Sequence, residues 1–410
     1  MGQAEGSDEY SSFSVSKSLR LQFNDFVIIE HGEKIGKKLR KLEAFRGKLC
    51  ELAMRDHLDP SISETLRLAL NALRKEIWDF EFRYPLDVDP EAGPLESLHY
   101  YLYSEKLSWS VMVSDSSGVP RVRHRLYGEA YAPGYIAWWG LVHLGHFLRH
   151  GDEGSRETFL RQVDWLEKSA TVRPDGAVVW SNPFHLVEGA TLLCAPWLSA
   201  ETQGWVISAL VRAHRLTKRS ALLELLRGSS RIFELTLKEG GVRIPLTRGA
   251  LYTEKPGTPV PVILDGFQTA LLGLYDLGME TKDPRVEELF REGIDGLKLM
   301  LPQWNYRGKW SWYGARAYLC PPAYHKLNCL QMMTLARLSL DETLAHYAQR
   351  WRMERLSWAD RAEIYIAFLL TKNSHRIKHR TWRQNRRMVQ EMISQVLREK
   401  SENGQRGNAA

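Results

Sequence analysis

PGYIAWWGLVHLGHFLRHGDEGSRETFLRQVDWLEKSA, residues 133–170, reads as two helices, near 133–150 and 154–170, with a short polar break between them. The same unit recurs down the chain. Further helices are predicted near 200–217, 219–237, 262–277, 283–301, 324–338, 341–353, 358–371 and 382–399, and the loops joining them carry aromatic and polar residues. No strict sequence repeat accompanies the repeat of helices. Helix pairs alternating with chemically rich loops predict a mainly α fold, an incomplete (α/α) toroid of helix hairpins whose inner helices ring a concave cleft. An α-solenoid would show similar spacing, and only the loop chemistry favours the toroid.

Upstream, Ile35, Leu39, Leu42, Phe45 and Leu49 form a helical stripe within residues 32–58 that stops at Asp59-Pro60, and a second helix is expected from Ser61 to Phe82. Between 84 and 131 the pattern changes. Pro and Gly punctuation, the alternating run LSWSVMV and the turn DSSGVP predict a small β-hairpin or sheet there. Residues 1–13 and the closing SENGQRGNAA are expected to be disordered. The domain reading is therefore a disordered N-terminus 1–13, N-terminal helices with a small β section over 14–131, a toroid over 132–371, and a basic helix and tail over 372–410.

At 410 residues, with 44% hydrophobic and 26% charged side chains, the chain is globular in composition, which excludes collagen-like and wholly disordered classes. Fourteen Trp and 16 Tyr are many, and flat amphipathic rings suit the apolar faces of sugars as well as ordinary cores. The net charge of +7 is local: residues 372–410 hold ten of the 56 Lys/Arg and three of the 49 Asp/Glu, which leaves 46 of each elsewhere. Such a tail could touch an acidic partner, but a solvated helix end is the simpler reading, and no nucleic-acid partner is expected. No run of about 18 apolar residues predicts a membrane span. MGQAEGSDEYSSF has no apolar signal region, and Cys50, Cys194, Cys320 and Cys329 are too scattered for a disulfide framework, so a cytoplasmic location is expected. The histidines form no HExxH-like pattern, and neither a metal nor a cofactor is expected. His143 and His146 share a helix face with no acid placed to complete a site.

Four segments carry a resemblance: PWLSAETQG (196–204), LYTEKPGTPVPVILDGF (251–267), WYGARAY (312–318) and AYHKLNCLQM (323–332), with a looser fifth in YAPGYIAWWGL (131–141). In order, spacing and helix context they are similar to the C-terminal domain of the D-glucuronyl C5-epimerases, which turn D-glucuronate into L-iduronate within heparan-type polysaccharides such as heparosan. The resemblance implies an isomerase with a glucuronate-containing oligo- or polysaccharide as its partner, and homodimeric assembly. It places a catalytic Glu at Glu254, one Tyr at Tyr313 with an Arg at Arg316, and a second Tyr at Tyr324. Two positions depart from the family pattern: Lys255 stands where a Tyr is usual, and Asp265 where an Asn is usual.

C5 epimerisation removes a proton from the carbon next to a carboxylate and returns one on the opposite face, so two proton-transfer groups must flank the ring. Extra negative charge develops on the carboxylate and needs a cationic or hydrogen-bonding clamp. Glu254 and Tyr324 are assigned as the opposed pair, with burial expected to raise the Glu254 pKa and a nearby cation to favour a Tyr phenolate, and with Tyr313 as helper. Arg316 is the expected carboxylate clamp and Lys255 an added point charge. Asp265, Gln203, Ser199, His325 and Tyr252 complete the expected substrate-binding set, with Asn182 a further candidate. Structural alternatives stand beside these: a solvated Glu254–Lys255 pair, Arg316 paired with Asp265, and Tyr324 as a helix-end staple. Two other functions share the scaffold, a polysaccharide lyase working by β-elimination and a non-catalytic glycan-binding protein.

Overall fold

The computed structural model describes residues 86–378 except 94, 106–111, 125–127 and 189–190, together with residue 394. The helices expected at 32–58, 61–82 and 382–399, and both chain ends, lie outside the described residues. Those described fall into two compact units: 86–320, 324–352 and 371 onward in one, 321–323 and 353–370 in the other.

The first unit opens with strands, as the punctuated 84–131 segment predicts. β1 (Asp87–Val88) pairs antiparallel with β2 (Leu102–Tyr103), and β3 (Met112–Ser114), β4 (Pro120–His124) and β5 (Gly128–Ala130) form a three-stranded antiparallel sheet. Helices then dominate. α1 (Pro133–His150) starts with a proline that gives up no helical hydrogen bond and stops at Gly151, whose φ of 67° is the left-handed turn that favours glycine. α2 (Glu153–Ser169) follows at once, its Asp152 cap accepting from the Gly154 N–H. After the hairpins β6–β7 (Thr171–Val172, Val178–Val179) and β8–β9 (Leu186–Glu188, Thr191–Leu193) comes α3 (Ala200–Thr217).

The helix predicted over 219–237 is broken into α4 (Ser220–Ser229), the single turn α5 (Arg231–Glu234) and a 3-10 turn at Leu237–Glu239. Gly228 marks the reason. A Cβ there would stand 2.6 Å from Val178 Cγ2 and 2.8 Å from the Gly176 carbonyl, so the chain must present bare backbone to the β6–β7 hairpin before it turns. Hairpin β10–β11 (Arg243–Pro245, Ala250–Tyr252) leads to α6 (Leu264–Thr281) and α7 (Pro284–Trp304). The strands β12 (Asn305–Tyr306), β13 (Trp310–Tyr313) and β14 (Tyr318–Leu319) lead to α8 (Pro322–Ser339) and α9 (Glu342–Arg350). The interhelical loops read from the sequence are thus mostly β-hairpins.

α1 packs on α2 and α3, α3 on α6, and α6 on α7. The α3–α6 seam is the closest. A Cβ on Gly204 would lie 2.5 Å from the Thr269 carbonyl, and one on Gly273 would lie 2.5 Å from Gly204 Cα, so two helix backbones touch where no side chain fits. Four tryptophans, Trp180, Trp304, Trp310 and Trp351, are fully buried, each with its indole N–H donating: to the carbonyls of Leu166, Val262 and Cys320 and to Asn305 Oδ1. These rings fill the core, as buried indoles with a satisfied polar tip do. The last helix, α10 (Trp358–Lys378), crosses from the second unit into the first; within the second unit Ser357 and Asp360 cap it reciprocally. None of the described helices is long and apolar enough to cross a membrane.

Candidate active site

One backbone hydrogen bond decides what meets at the head of α3. The Ala200 N–H donates to the Thr253 carbonyl at 3.1 Å, pinning the segment after β11 to the first turn of the helix. Glu254 therefore arrives beside Glu201. The same segment crosses the start of α6 at Gly266, where any Cβ would collide with the Glu254 carboxylate and stand 2.7 Å from its Cβ. Asp265, one residue earlier on that turn, completes a trio: oxygens of Glu201, Glu254 and Asp265 all lie within 4.8 Å of one another. Glu254 and Asp265 are buried, and Glu201 is half-buried.

Lys255 supplies the opposing charge. Its ammonium is 2.9 Å from Glu254 Oε1 and donates at 3.4 Å to the phenol of Tyr313. Both members of the pair are buried, so the alternative of a solvated loop pair is excluded. Tyr313 stands at the end of β13, stacked on its register partner Tyr318 at 4.9 Å and edge-on to Tyr324 at 5.8 Å. Tyr324, on the first turn of α8, and Tyr135, on the first turn of α1, keep 44% and 47% of their surface open.

Electrostatics separates the three acids. Asp265 is pushed up to about 7, first by burial and then by the Glu254 charge, with Lys255 and the N–H groups of residues 265 and 266 pulling the other way. Glu201 is raised well above the usual carboxylate range by burial, Glu254 and Asp265, against Lys255 and a hydrogen bond with Trp205. Its place on the first turn of α3 would by itself favour the anion, but loss of solvent and two neighbouring carboxylates outweigh that. Burial raises the phenol of Tyr324 well above its usual value and that of Tyr135 to about 12, and the same carboxylates act in the same sense. Both rings are nearly half open, so solvent screens part of the effect of burial while the carboxylates add to it. At Tyr324 the shift runs against the expected phenolate and towards the neutral phenol, while the expected cation stands beside Tyr313, where Lys255 donates. Upward tuning of a carboxyl is found at Asp265 and Glu201.

Other expected contacts are held elsewhere. Gln203 is fully buried, its amide donating to the carbonyls of Val178 and Ser229 and accepting from the Trp180 N–H, so it fastens α3 to the β7 hairpin rather than meeting a sugar. Ser199 is the N-cap of α3, accepting from Thr202, and Asn182 pairs through its backbone with Trp197. Tyr252 donates its buried hydroxyl to the Leu289 carbonyl. His325 stacks on Trp310 at 3.6 Å; its Nδ1 accepts from the Ser311 N–H, which leaves Nε2–H to donate to the Trp351 carbonyl, and burial lowers its pKa to about 3. All five of these candidate contacts, Gln203, Ser199, Asn182, Tyr252 and His325, already have hydrogen-bond partners inside the fold. His143 and His146 both reach Ser155 Oγ, tying α1 to α2. Arg316 is exposed in the β13–β14 turn, among three consecutive left-handed residues (φ 58°, 43° and 73° at Gly314, Ala315 and Arg316), and makes no ion pair with Asp265.

Glu201 and Tyr135 are the members that sequence reasoning missed, although both stand inside the segments singled out above. Among the described residues, the acidic trio is also the one group whose ligand atoms could surround a metal ion; the ammonium of Lys255 supplies positive charge at the same place.

Residues 175–353 match the model of the D-glucuronyl C5-epimerase C-terminus. A D-glucuronyl C5-epimerase of Caenorhabditis elegans is 29% identical over 220 residues, 48% of this chain and 35% of the worm protein. A protein of uncharacterised function from Methanocaldococcus jannaschii is 29% identical over 160 residues, 38% of this chain and 52% of its own. The chain thus matches about a third of one relative's length and half of the other's. The matched segment holds Glu201, Glu254, Lys255, Asp265, Tyr313 and Tyr324, and it is through this segment that the chain is similar to the D-glucuronyl C5-epimerase family.

Proposed function

We propose that the cluster epimerises a uronate at C5 within a glucuronate-containing glycan, with heparosan-type chains as the first substrate class, on an incomplete (α/α) toroid of helix hairpins. The observation that carries this reading is the chain Glu254–Lys255–Tyr313–Tyr324, a buried carboxylate linked through an ammonium and a phenol to a second phenol that is open to solvent. Glu254, ion-paired with Lys255, takes the C5 proton. The C–H electron pair moves into the substrate carboxylate as an enediolate, and the C5 proton rests on Glu254. The Tyr324 O–H then returns a proton to C5 from the opposite face, and its phenolate recovers a proton from solvent through its open side while Glu254 releases the abstracted one. A neutral phenol suits this second step, and Lys255 beside Tyr313 moderates the negative charge that passes through the site.

The test is incubation with heparosan in heavy water, read by NMR at C5. The expected result is deuterium at C5 together with iduronate signals, both lost in Glu254→Gln. Absence of label would overturn the reaction. Appearance of the ultraviolet band of an unsaturated uronate would replace it with β-elimination, which begins with the same proton abstraction and differs in losing the 4-O substituent before reprotonation.

A further inference from the structure

The trio poses a charge problem for any anionic ligand. Three carboxylates and one ammonium amount to a net charge of −2 when all are ionised, and a uronate brings one more negative charge to the same place. Arg316, the guanidinium expected to answer it, is exposed in the β13–β14 turn and pairs with none of the three. Lys255 already lies against Glu254 and Tyr313. Among the described residues, besides the open phenols of Tyr135 and Tyr324, a carboxylate can be received through a carboxyl that keeps its proton and donates it in a hydrogen bond.

Resting on the epimerase reading above, we propose that Glu201 is a substrate-binding residue, a neutral carboxyl whose O–H donates to the uronate carboxylate and to the enediolate formed from it. Position singles it out. Glu254 and Asp265 are buried, whereas Glu201 is half-buried at the head of α3 and so is the member of the trio that reaches the opening. The charge of Glu201 acts on the open rings of both Tyr135 and Tyr324, together with those of Asp265 and Glu254. The groups facing it are Glu254 and Lys255 from the loop after β11, Asp265 from α6, Tyr135 from α1, Tyr324 from α8 and the indole of Trp205 from its own helix. Glu254 and Asp265 favour the protonated form, and Lys255 and the Trp205 indole oppose it. A neutral donor is also suited to the reaction, because charge grows on the substrate carboxylate as the C5–H bond breaks and a short O–H···O⁻ bond strengthens with it.

The experiment compares binding of a heparosan hexasaccharide with that of its carboxyl-reduced counterpart, by calorimetry between pH 6 and 10. In the wild-type protein the carboxylate form should bind about 10- to 100-fold more tightly, the range for a hydrogen bond to a charged group. Glu201→Ala should erase that preference, while Glu201→Gln, which keeps an N–H donor of similar shape, should retain most of it. In an Asp265→Asn background, where the second raised carboxyl cannot titrate, the preference should decline at high pH with Glu201 present and stay level with Gln at 201. A preference that survives Glu201→Ala, a decline that persists in the Gln variant, or no preference in the wild type overturns the assignment. The two readings part cleanly: preference without C5 exchange removes the epimerase and keeps this role for Glu201, whereas C5 exchange with the preference intact in Glu201→Ala does the reverse.

Discussion

The same two helices carry a buried charge cluster at each end, and the two are built oppositely. At the far end, Arg212 of α3 meets Asp276 of α6 at 2.6 Å, Tyr101 donates to the same carboxylate at 2.6 Å, and Tyr100 and Tyr101 lie against the guanidinium. Eleven residues earlier on each helix stand Glu201 and Asp265, acid against acid. Arg212 and Asp276 cancel each other and are almost completely sealed, with 1% and 0% of their side chains accessible. Among the described residues, Lys255 is the cation paired within the near end's three carboxylates, and that end meets solvent at Glu201, Tyr135 and Tyr324. A balanced buried pair has no proton left to give. An unbalanced one must hold protons to exist in a dry place, and groups that hold protons reluctantly near neutral pH are the ones that move them.

The comparison can be broken in graded ways. The largest expected effect is at the unbalanced end: Glu254→Gln should lower C5 deuterium exchange by about 10²- to 10⁴-fold, the range for loss of a positioned proton-transfer group. The balanced end should answer in stability instead. Arg212→Met strands a buried carboxylate at Asp276 and should cost about 3–5 kcal/mol in urea unfolding, with exchange per folded molecule unchanged, while Arg212→Met with Asp276→Leu should recover most of the loss. If the single substitution proves mild, the sealed pair is not the structural element described here.

A smaller effect sharpens the contrast through pH. Asp265 in the folded protein sits near 7, above its usual value of 3.8, so the raised carboxyl adds stability while both states are protonated and that contribution is lost as pH rises from about 4 to 7. Asp265→Asn should therefore gain on the wild type across that window at roughly 1 kcal/mol per pH unit and level off above it, as read by unfolding midpoints at pH 5, 6, 7 and 8. Equal slopes would mean that Asp265 is not held protonated. Least is expected of Arg316→Ala, where removal of an exposed charge should weaken glycan binding by less than about threefold and only at low salt.

What the sequence made legible follows from physical range. Helices α1, α2, α3, α6 and α7 stand close to their predicted spans because an amphipathic period repeats over many residues and tertiary context seldom overturns it. Hairpins of two or three residues per strand, such as β6–β7 and β10–β11, offer no such run and read as loops. Glu254, Tyr313 and Tyr324 were reached through a motif, and the structure brings them together with Lys255 and Asp265, the two departures from the family pattern. One departure adds a cation and the other a carboxyl, and both fall in the same cluster, where the Lys255 charge works against the rise of the Asp265 pKa. Glu201 was passed over because an acid in the first turn after a Ser cap is what any helix start favours. Tyr135 was hidden in an aromatic run whose other rings pack. Gln203 and His325 misled in the opposite sense: polar residues in a motif segment look like ligands, and only coordinates show that their hydrogen bonds are spent on backbone.

The glycine seam between α3 and α6 has a consequence for how this electrostatic load is relieved. Gly204 and Gly273 leave the two helices in backbone contact, with no flexible side chain between them to act as a spring. Like charges at the head of such a pair cannot buy relief by prying the helices apart, since the spacing is set by main-chain atoms. The load is discharged by capturing hydrogen ions from water, which turns a rigid joint into a transducer from geometry to acidity.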